Sequence, residues 1–231
     1  MLLLAAGRGS RFGGSVPKAF LRLRGETLLE HSVRRLVAAL DPRTHAQVLL
    51  VVHPDDRVTQ LAPCRAAIER LAGRHAIRIV DGGASRQESM TRGLAAIDAD
   101  TDLVLVHDAA RALVPTDAVR ECLAAAERTG AALLAVPATD TQKRVADGRV
   151  VATVDRSGIW LAQTPQIVRT ALLRRALDTA RDTGFEGTDD VSLVERLGEP
   201  VAVVPGAATN LKITHPGDLA LAEAVLAAGL A

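Results

Sequence analysis

The chain has 231 residues, of which 48% are hydrophobic and 24% are charged, and its formal net charge is +1 at pH 7. This length fits one domain with a large core, and the near-neutral charge and the 2% aromatic content argue against nucleic-acid and membrane-surface binding. Two cysteines are too few for a disulfide framework. With no apolar run of about 18 residues and no signal peptide, we expect a cytoplasmic protein with neither a membrane nor a nucleic-acid partner.

Buried strands are predicted where short runs of Val, Leu and Ile lie between turn residues. In chain order they cover residues 2–6, 47–53, 77–81, 103–107 and 131–136. Amphipathic helices are predicted between them, because capping residues open helical patterns at Thr27, Ser85 and Thr116. These helices are expected to end near residues 40, 97 and 130. The alternation predicts an α/β fold of Rossmann-like type, with a mainly parallel, twisted sheet and helices on both faces.

The alternation stops after Pro137. Two polar strands, at 142–146 and 149–154, flank an Asp-Gly pair that favours a two-residue hairpin turn. We expect residues 138–156 to project as a β-hairpin arm from a single domain covering residues 1–231. Because an uncovered strand edge is a liability, the arm is expected to pair with a second subunit in a homodimer; the alternative is a monomer with a charged flap. The remaining predicted elements are helices at 165–182 and 188–197, strands at 201–204 and 211–214, and a helix from Pro216.

A glycine-rich segment directly follows the first predicted strand. Gly7 and Gly9 allow the backbone to approach a polyphosphate with its amides pointing inward, and Arg11 and Lys18 add positive charge. The segment is not a dinucleotide-binding fingerprint, because Phe12 occupies a position that requires Gly, and it lacks the Gly-Lys-Ser/Thr of a P-loop. The alternative is a surface turn with two solvated cations.

Two other motifs lie where predicted strands end, and the carboxyl ends of parallel strands line the ligand crevice of such sheets. After residue 81, the backbone of Gly83 and the hydroxyl of Ser89 suit recognition of a base edge; a well-capped helix start is the alternative. An exposed Asp108 is a natural Mg²⁺ ligand, since Mg²⁺ takes one or two carboxylates together with substrate phosphates. Arg111 suits a phosphate contact or the positioning of that carboxylate, whereas His107 is predicted to be a packed histidine.

The predicted late strand carries Asn210, Lys212 and Thr214 on one face by alternation. This strand would bring Lys212 to the same edge of the sheet, although an edge strand with a solubilising lysine is the alternative. Lys18 and Lys212 are two of only three lysines in the chain. We therefore expect cations from opposite ends of the chain to converge with Asp108 around a triphosphate.

Five motifs, in chain order, resemble those of the 2-C-methyl-D-erythritol 4-phosphate cytidylyltransferase family of the non-mevalonate isoprenoid pathway. They are Asp-Gly-Gly-x-x-Arg-x-x-Ser from Asp81, Val-His-Asp-Ala-Ala-Arg from Val106, Asp-Thr-x-Lys-Arg from Asp140, Val-Asp-Arg-x-x-x-Trp from Val154 and Thr-Pro-Gln from Thr164. The resemblance covers nearly the whole chain, whereas the Ala-Ala-Gly loop alone indicates only the wider sugar-nucleotidyltransferase superfamily. The sequence departs from the family at Leu4, where Pro is frequent, and at Ala84, where an acidic residue is frequent.

The resemblance implies a nucleotidyltransferase fold and an Mg²⁺-dependent enzyme that transfers CMP from CTP to 2-C-methyl-D-erythritol 4-phosphate. It implies catalytic roles for Arg11, Lys18 and Lys212. It implies nucleotide contacts from Ala5, Ala6, Gly7, Gly9, Gly83, Arg86 and Ser89. It implies polyol-phosphate contacts from Asp108, Arg111, Thr141, Arg156, Thr164 and Thr188, with Asp108 also beside the metal and Thr141 and Arg156 acting across the dimer.

Two alternatives remain at this point. One is a cytidylyltransferase for ribitol 5-phosphate or a related polyol phosphate, and the other is a non-catalytic nucleotide-binding module on the same fold. The second is disfavoured because binding alone does not require a metal-holding acid beside Lys18 and Lys212.

In a transfer reaction the nucleophile is a phosphate monoester, which is largely dianionic near pH 7 because its second pKa is about 6. No general base is then needed, and the main obstacle is charge repulsion, which cations address directly.

Overall fold

The computed structural model describes residues 1–7 and 16–230. In this part of the chain the strands are β1 (Leu2–Leu4), β2 (Arg22–Leu23), β3 (Glu26–Thr27), β4 (Gln47–Val52), β5 (Ala76–Asp81), β6 (Leu103–Asp108), β7 (Ala131–Pro137), β8 (Gln142–Ala146), β9 (Arg149–Val154), β10 (Trp160–Arg169) and β11 (Ala202–Pro205). Seven of them form one sheet in the order β11-β7-β10-β6-β1-β4-β5. Adjacent strands in this sheet run parallel to each other, except that β10 runs antiparallel to β6 and β7.

The α-helices surround this sheet. They are α1 (Leu28–Ala39), α2 (Ala62–Ala72), α3 (Arg86–Ala95), α4 (Thr116–Thr129), α5 (Thr170–Thr183), α6 (Val191–Arg196) and α7 (Pro216–Ala227). A 3₁₀ turn at Lys18–Phe20 and a π-helical turn at Arg57–Leu61 complete the helical elements of the described residues. Within the same residues, none of the helices combines the length and the apolar character that crossing a membrane requires.

Alternating side chains divide the core between the two faces of the sheet. Leu3 and Leu50 pack with α1, α2 and α4 on one face, whereas Leu2 and Leu49 pack with α3, α5 and α6 on the other. This division follows from the period of two along a strand, and it explains why strands buried on both faces have continuous apolar runs. The structure thus confirms the predicted α/β fold. A third cluster joins α7 to the β2–β3 hairpin through residues such as Leu23 and Val225.

The parallel strands bring the candidate motifs to one edge. Leu4 of β1 is aligned with both Asp108 of β6 and Val51 of β4, and Val52 is aligned with Asp81 of β5. These strands therefore end together at the carboxyl edge of the sheet.

The two strands of the predicted hairpin are present with the expected bounds, as β8 and β9, whereas the projection of residues 138–156 as a dimerisation arm stays a prediction. β8 and β9 pair in antiparallel fashion, and Asp147 and Gly148 between them have φ angles of +48° and +73°. Positive φ at both central residues is the requirement of a type I′ hairpin turn. Val145, Val150 and Val151 of this arm are exposed.

Three predictions for other segments were wrong. Residues 165–169, predicted to be helical, belong to β10, and α5 begins at Thr170. Pro165 suggested a helix start, but it lies where the β10 register shifts against β7, and the apolar residues after it are buried between β6 and β7. Residues 211–214 form no strand, because the amide of Ile213 bonds to Ala110, in the loop after β6, at 2.9 Å. Thr116 also makes no capping bond, since α4 starts directly after Pro115.

Candidate active site

A cavity of about 430 Å³ opens at the carboxyl edge of the sheet. This volume is typical of small-molecule sites, which span about 300–1,000 Å³. The residues that line it are Leu4, Ala5, Ala6, Gly7, Lys18, Ala19, His53, Gly83, Ala84, Ser85, Arg86, Ser89, Asp108, Ala110 and Lys212. Gly9 and Arg11, also predicted for this site, lie outside the described residues.

A larger cavity of about 1020 Å³ lies at the opposite edge, near Met1, Gln47 and Leu103. The strands begin at that edge, whereas ligands of open α/β sheets bind at the carboxyl ends. Among the described residues, none of the predicted site residues lines this second cavity. We therefore assign the candidate site to the smaller cavity.

Lys18 and Lys212 both line the smaller cavity, which confirms that cations from the two ends of the chain converge. Lys18 begins the 3₁₀ turn that directly follows Pro17. Lys212 reaches the cavity on an irregular segment, and its Nζ lies 2.5 Å from Oδ2 of Asp108. The predicted alternation around Lys212 is wrong, because Asn210 is fully buried while the Lys212 side chain is 39% exposed.

Asp108 is buried at the end of β6 rather than exposed as the sequence predicted. Its Oδ1 accepts a hydrogen bond from Nε of Arg86 at 3.1 Å, and its Oδ2 accepts one from Lys212. Burial alone would raise the pKa of Asp108, but the charges of Arg86 and Lys212 outweigh burial and hold this pKa well below its usual range. The carboxylate is therefore ionised throughout the physiological pH range.

Arg86 connects Asp108 to a second buried acid, Asp190. Nη1 and Nη2 of Arg86 donate to the two carboxylate oxygens of Asp190, both at 2.8 Å. Burial would lower the pKa of the Arg86 guanidinium, but Asp190 and Asp108 outweigh it and raise this pKa above its usual value. Charges consequently alternate in the order Asp190, Arg86, Asp108, Lys212. Sequence reasoning missed Asp190; its available signal was the Asp-Asp pair that follows Thr188.

The glycines of the second motif allow two loops to touch. A Cβ added to Gly82 would lie 2.2 Å from Cβ of Ala6, so a larger residue would separate the first loop from the start of α3. The amide of Gly83 donates to Oγ of Ser89 at 3.0 Å, and the Ser85 hydroxyl accepts from the amide of Glu88 as the predicted helix cap. Gly83, Ser85 and Ser89 all line the cavity, and recognition of a base edge by this segment stays a prediction.

Thr164, His107 and Arg111 form a support behind Asp108. Oγ1 of Thr164 accepts from the Asp108 amide at 3.1 Å and bonds to Nδ1 of His107 at 3.0 Å. Nε2 of His107 contacts the Arg111 carbonyl, and Arg111 donates to the Asn210 carbonyl. Burial lowers the pKa of His107 to about 4, so the imidazole is neutral and packed, as predicted. The polyol-phosphate contacts predicted for Thr164 and Arg111 stay predictions.

Three other predicted substrate contacts lie elsewhere on the molecule. Thr141 and Arg156 are exposed at the base of the arm, and Thr188 is exposed in the loop before α6. None of them belongs to the cavity lining that the described residues define. Within one copy of the chain, these residues therefore do not complete the site.

The donor set fits Mg²⁺ only in the company of bound phosphates. Among the described residues, no group of three or more His, Cys, Asp or Glu side chains is arranged to hold a metal ion. Among the lining residues that the structure describes, the one carboxylate is that of Asp108. Its two oxygens have about four lone-pair sites, two of which accept from Arg86 and Lys212. Mg²⁺ is commonly bound by one or two carboxylates and substrate phosphates, so Asp108 can serve as a single protein ligand.

The sequence matches the profile of the IspD family, 2-C-methyl-D-erythritol 4-phosphate cytidylyltransferase, over residues 1–228. A relative with that enzyme name from Chromobacterium violaceum is 45% identical over 98% of this chain and 97% of its own. The crystal structure of the enzyme from Thermus thermophilus has a TM-score of 0.77 and 39% identity and covers 97% of each chain. A 4-diphosphocytidyl-2C-methyl-D-erythritol synthase from Anaerococcus prevotii has a TM-score of 0.82 at 28% identity, covering 98% of this chain and 96% of its own. The chain therefore belongs to the 2-C-methyl-D-erythritol 4-phosphate cytidylyltransferase family.

Proposed function

We propose that the chain transfers CMP from CTP to 2-C-methyl-D-erythritol 4-phosphate, giving 4-diphosphocytidyl-2-C-methyl-D-erythritol and pyrophosphate. The observation that carries this proposal is the convergence of Lys18, Lys212 and Asp108 on one cavity at the carboxyl edge of the sheet. Membership of the family supplies the identity of the two substrates. The ribitol 5-phosphate alternative has no corresponding support.

The reaction is a single displacement at phosphorus. A phosphate oxygen of the polyol phosphate forms a bond to the α-phosphorus of CTP, while the bond from that phosphorus to the bridging oxygen of the β-phosphate breaks. Pyrophosphate leaves with the bridging oxygen and its electron pair. Because the attacking phosphate is already largely dianionic near pH 7, no side chain has to remove a proton, and catalysis consists of positioning and charge stabilisation.

Lys18 and Lys212 supply that stabilisation. Lys18 and Gly7 both line the cavity, where an ammonium group and backbone amides can hold the triphosphate. Lys212, beside Asp108, can bind the incoming phosphate and reduce its repulsion from the nucleotide. The Lys212 charge is held by Asp108 before the reaction, so little reorganisation of this group is needed when negative charge develops at phosphorus.

We further propose that Asp108 would hold Mg²⁺ when the nucleotide is bound. The ion would supply positive charge to offset the negative charge of the phosphoryl group and the leaving pyrophosphate. Support comes from the position of Asp108 at the cavity and from the lowered pKa that keeps it a carboxylate.

A homodimer is also proposed, with the arm reaching the site of the second copy. Val145, Val150 and Val151 expose 56%, 62% and 57% of their surfaces on the arm, and association would cover this apolar surface. Thr141 and Arg156 lie on the same element, so pairing would allow them to contact the polyol phosphate of the partner. The cytoplasmic location stays a prediction that cell fractionation would check.

The function is tested by measuring pyrophosphate release with each of the four nucleoside triphosphates, in combination with methylerythritol phosphate or ribitol 5-phosphate. We expect rapid release only with CTP and methylerythritol phosphate, and only when Mg²⁺ is present. Faster pyrophosphate release with ribitol 5-phosphate would indicate that this polyol phosphate is the acceptor instead. If no substrate pair gave pyrophosphate release, the transferase proposal would be rejected.

A further inference from the structure

We propose that Asp190 is a positioning residue for the transfer reaction: its carboxylate holds the Arg86 guanidinium so that Arg86 binds only one oxygen of Asp108. The proposal rests on the cytidylyltransferase function and adds a residue that does not itself line the cavity. Asp190 acts through Arg86, and its effect reaches the reacting phosphates through Asp108.

The geometry of the pair fixes the orientation of Arg86. The two 2.8 Å bonds from Nη1 and Nη2 join separate oxygens of Asp190, which is the bidentate arrangement that sets the plane of a guanidinium. With both terminal nitrogens directed at Asp190, the nitrogen facing Asp108 is Nε, at 3.1 Å from Oδ1. Oδ2 of Asp108 is thereby left to Lys212.

Losing the Asp190 carboxylate would change this division. A guanidinium prefers two parallel bonds to one carboxylate, and Asp108 is the nearest remaining acid in contact with Arg86. We expect Arg86 to turn and engage both oxygens of Asp108. Arg86 would then compete with Lys212 and with any ion for Oδ2, and the charge facing the phosphates would be misplaced.

Asp190 is itself held firmly. It is 1% exposed, and its amide donates to Oε1 of Gln166 at 2.8 Å. The same Oε1 accepts from the amide of Val191 at 3.0 Å, and Nε2 of Gln166 donates to Asp189 at 2.7 Å. Gln166 belongs to β10, which lies between β6 and β7, so the sheet fixes the position of the backbone at Asp190. Such a fixed supporting residue suits precise placement of a charged group.

The test compares Asp190→Asn with Asp178→Asn. Both remove one negative charge, but Asp178 belongs to an exposed ion pair with Arg181 on α5, with 62% of its side chain accessible. For Asp190→Asn we expect kcat to fall about 10–100-fold, the range found when a supporting partner is removed, with a much smaller change in KM for CTP. Asp178→Asn is expected to keep a kcat close to that of the parent.

A double-mutant cycle separates positioning from a general structural role. If Asp190 acts through Arg86, adding Asp190→Asn to Arg86→Ala lowers kcat/KM little further, because the two residues form one unit. The proposal would be overturned if the two substitutions lowered kcat/KM by independent factors that multiply in the double variant. A parental kcat in folded Asp190→Asn would overturn it as well. If Asp190→Asn does not fold, Asp190→Glu takes its place, because this variant keeps the charge but shifts the carboxylate. A reduced kcat in folded Asp190→Glu supports the proposal, and a parental kcat overturns it. Inactivity of the parent itself would count against the proposed function instead.

Discussion

Nζ of Lys212 lies 2.5 Å from Oδ2 of Asp108 although 104 positions separate the two residues in the chain. The contact forms because the segment carrying Lys212 leaves the sheet and bonds to the loop after β6, through the amide of Ile213 and the carbonyl of Ala110. The partner on the other Asp108 oxygen is Arg86. One buried carboxylate thus joins the late part of the chain to α3, and its charge matters for stability as well as for function.

Asp108→Asn is expected to reduce the free energy of unfolding by about 3 kcal/mol near neutral pH, because it leaves two partly buried cations without their shared partner. The pKa of Asp108 is depressed in the folded state, so its stabilising effect is fully present above the unfolded value of about 3.9 and is lost as the pH falls below it. Urea denaturation of parent and variant between pH 7 and pH 3 measures the difference.

Asp117→Asn is the control for that experiment. Asp117 belongs to an exposed ion pair with Arg120 on α4, with 88% of its side chain accessible, and exposed pairs contribute little to stability. A loss in Asp108→Asn no larger than in this control would contradict the assigned role of the buried carboxylate.

His107→Gln is expected to flatten the pH dependence of stability. Burial lowers the pKa of His107 to about 4 in the folded protein, whereas an unfolded histidine has a pKa of about 6.5. The unfolded chain therefore binds the extra proton first, and folding stability falls by up to about 3 kcal/mol as the pH drops from 6.5 to 4. Gln cannot titrate, so the variant should lose less stability over this window. Unfolding curves of the parent and the variant at pH 7 and pH 4.5 provide the comparison. An equal loss of stability in both proteins would refute the role assigned to His107.

Lys18→Ala is expected to lower kcat by about 10²–10³, by analogy with the loss of one preorganised charge or donor at a transition state. Folding should change little, because Lys18 lies on a short 3₁₀ turn at the cavity edge. Steady-state pyrophosphate release and thermal unfolding are measured together. Arg65→Ala, on the surface of α2 beside Glu69, serves as the charge-matched control. Normal turnover in Lys18→Ala would remove its catalytic assignment.

Arg156→Ala is expected to raise the KM for the polyol phosphate much more than the KM for CTP. The reason is that Arg156 lies at the arm, on an exposed surface away from the cavity of its own chain, where it would bind the acceptor phosphate of the partner. Separate titrations of the two substrates test this, and an equal rise in both constants would argue against a selective contact.

Val150→Asp is expected to convert a dimer into monomers, because a charge would replace an exposed valine at the centre of the arm and would oppose its burial. Sedimentation velocity of parent and variant reports the change. Activity should fall with the dimer fraction. A parent that sediments as a monomer and is fully active at assay concentration would reject the shared site.

Local patterns in the sequence predicted much of the fold. The hairpin at 142–154 follows from an Asp-Gly turn between alternating polar strands, and the capping box at Thr27 and Glu30 is formed in full. These features depend on residues only a few positions apart. Residues 165–169 were assigned wrongly because a proline before an apolar run suits both a helix start and a strand, and only pairing with β6 and β7 decides between them.

The sequence by itself determined the α/β class, the arm and the residue types gathered at one edge, because hydrophobic period, turn residues and motif spacing are local properties. Only the tertiary structure decided that Asp108 is buried between two cations and that Asp190 holds Arg86 from behind. Those relationships join residues that lie far apart in the chain, and no local pattern contains the distance between them. The charge on each of these groups depends on burial and on its neighbours, which exist only once the chain has folded.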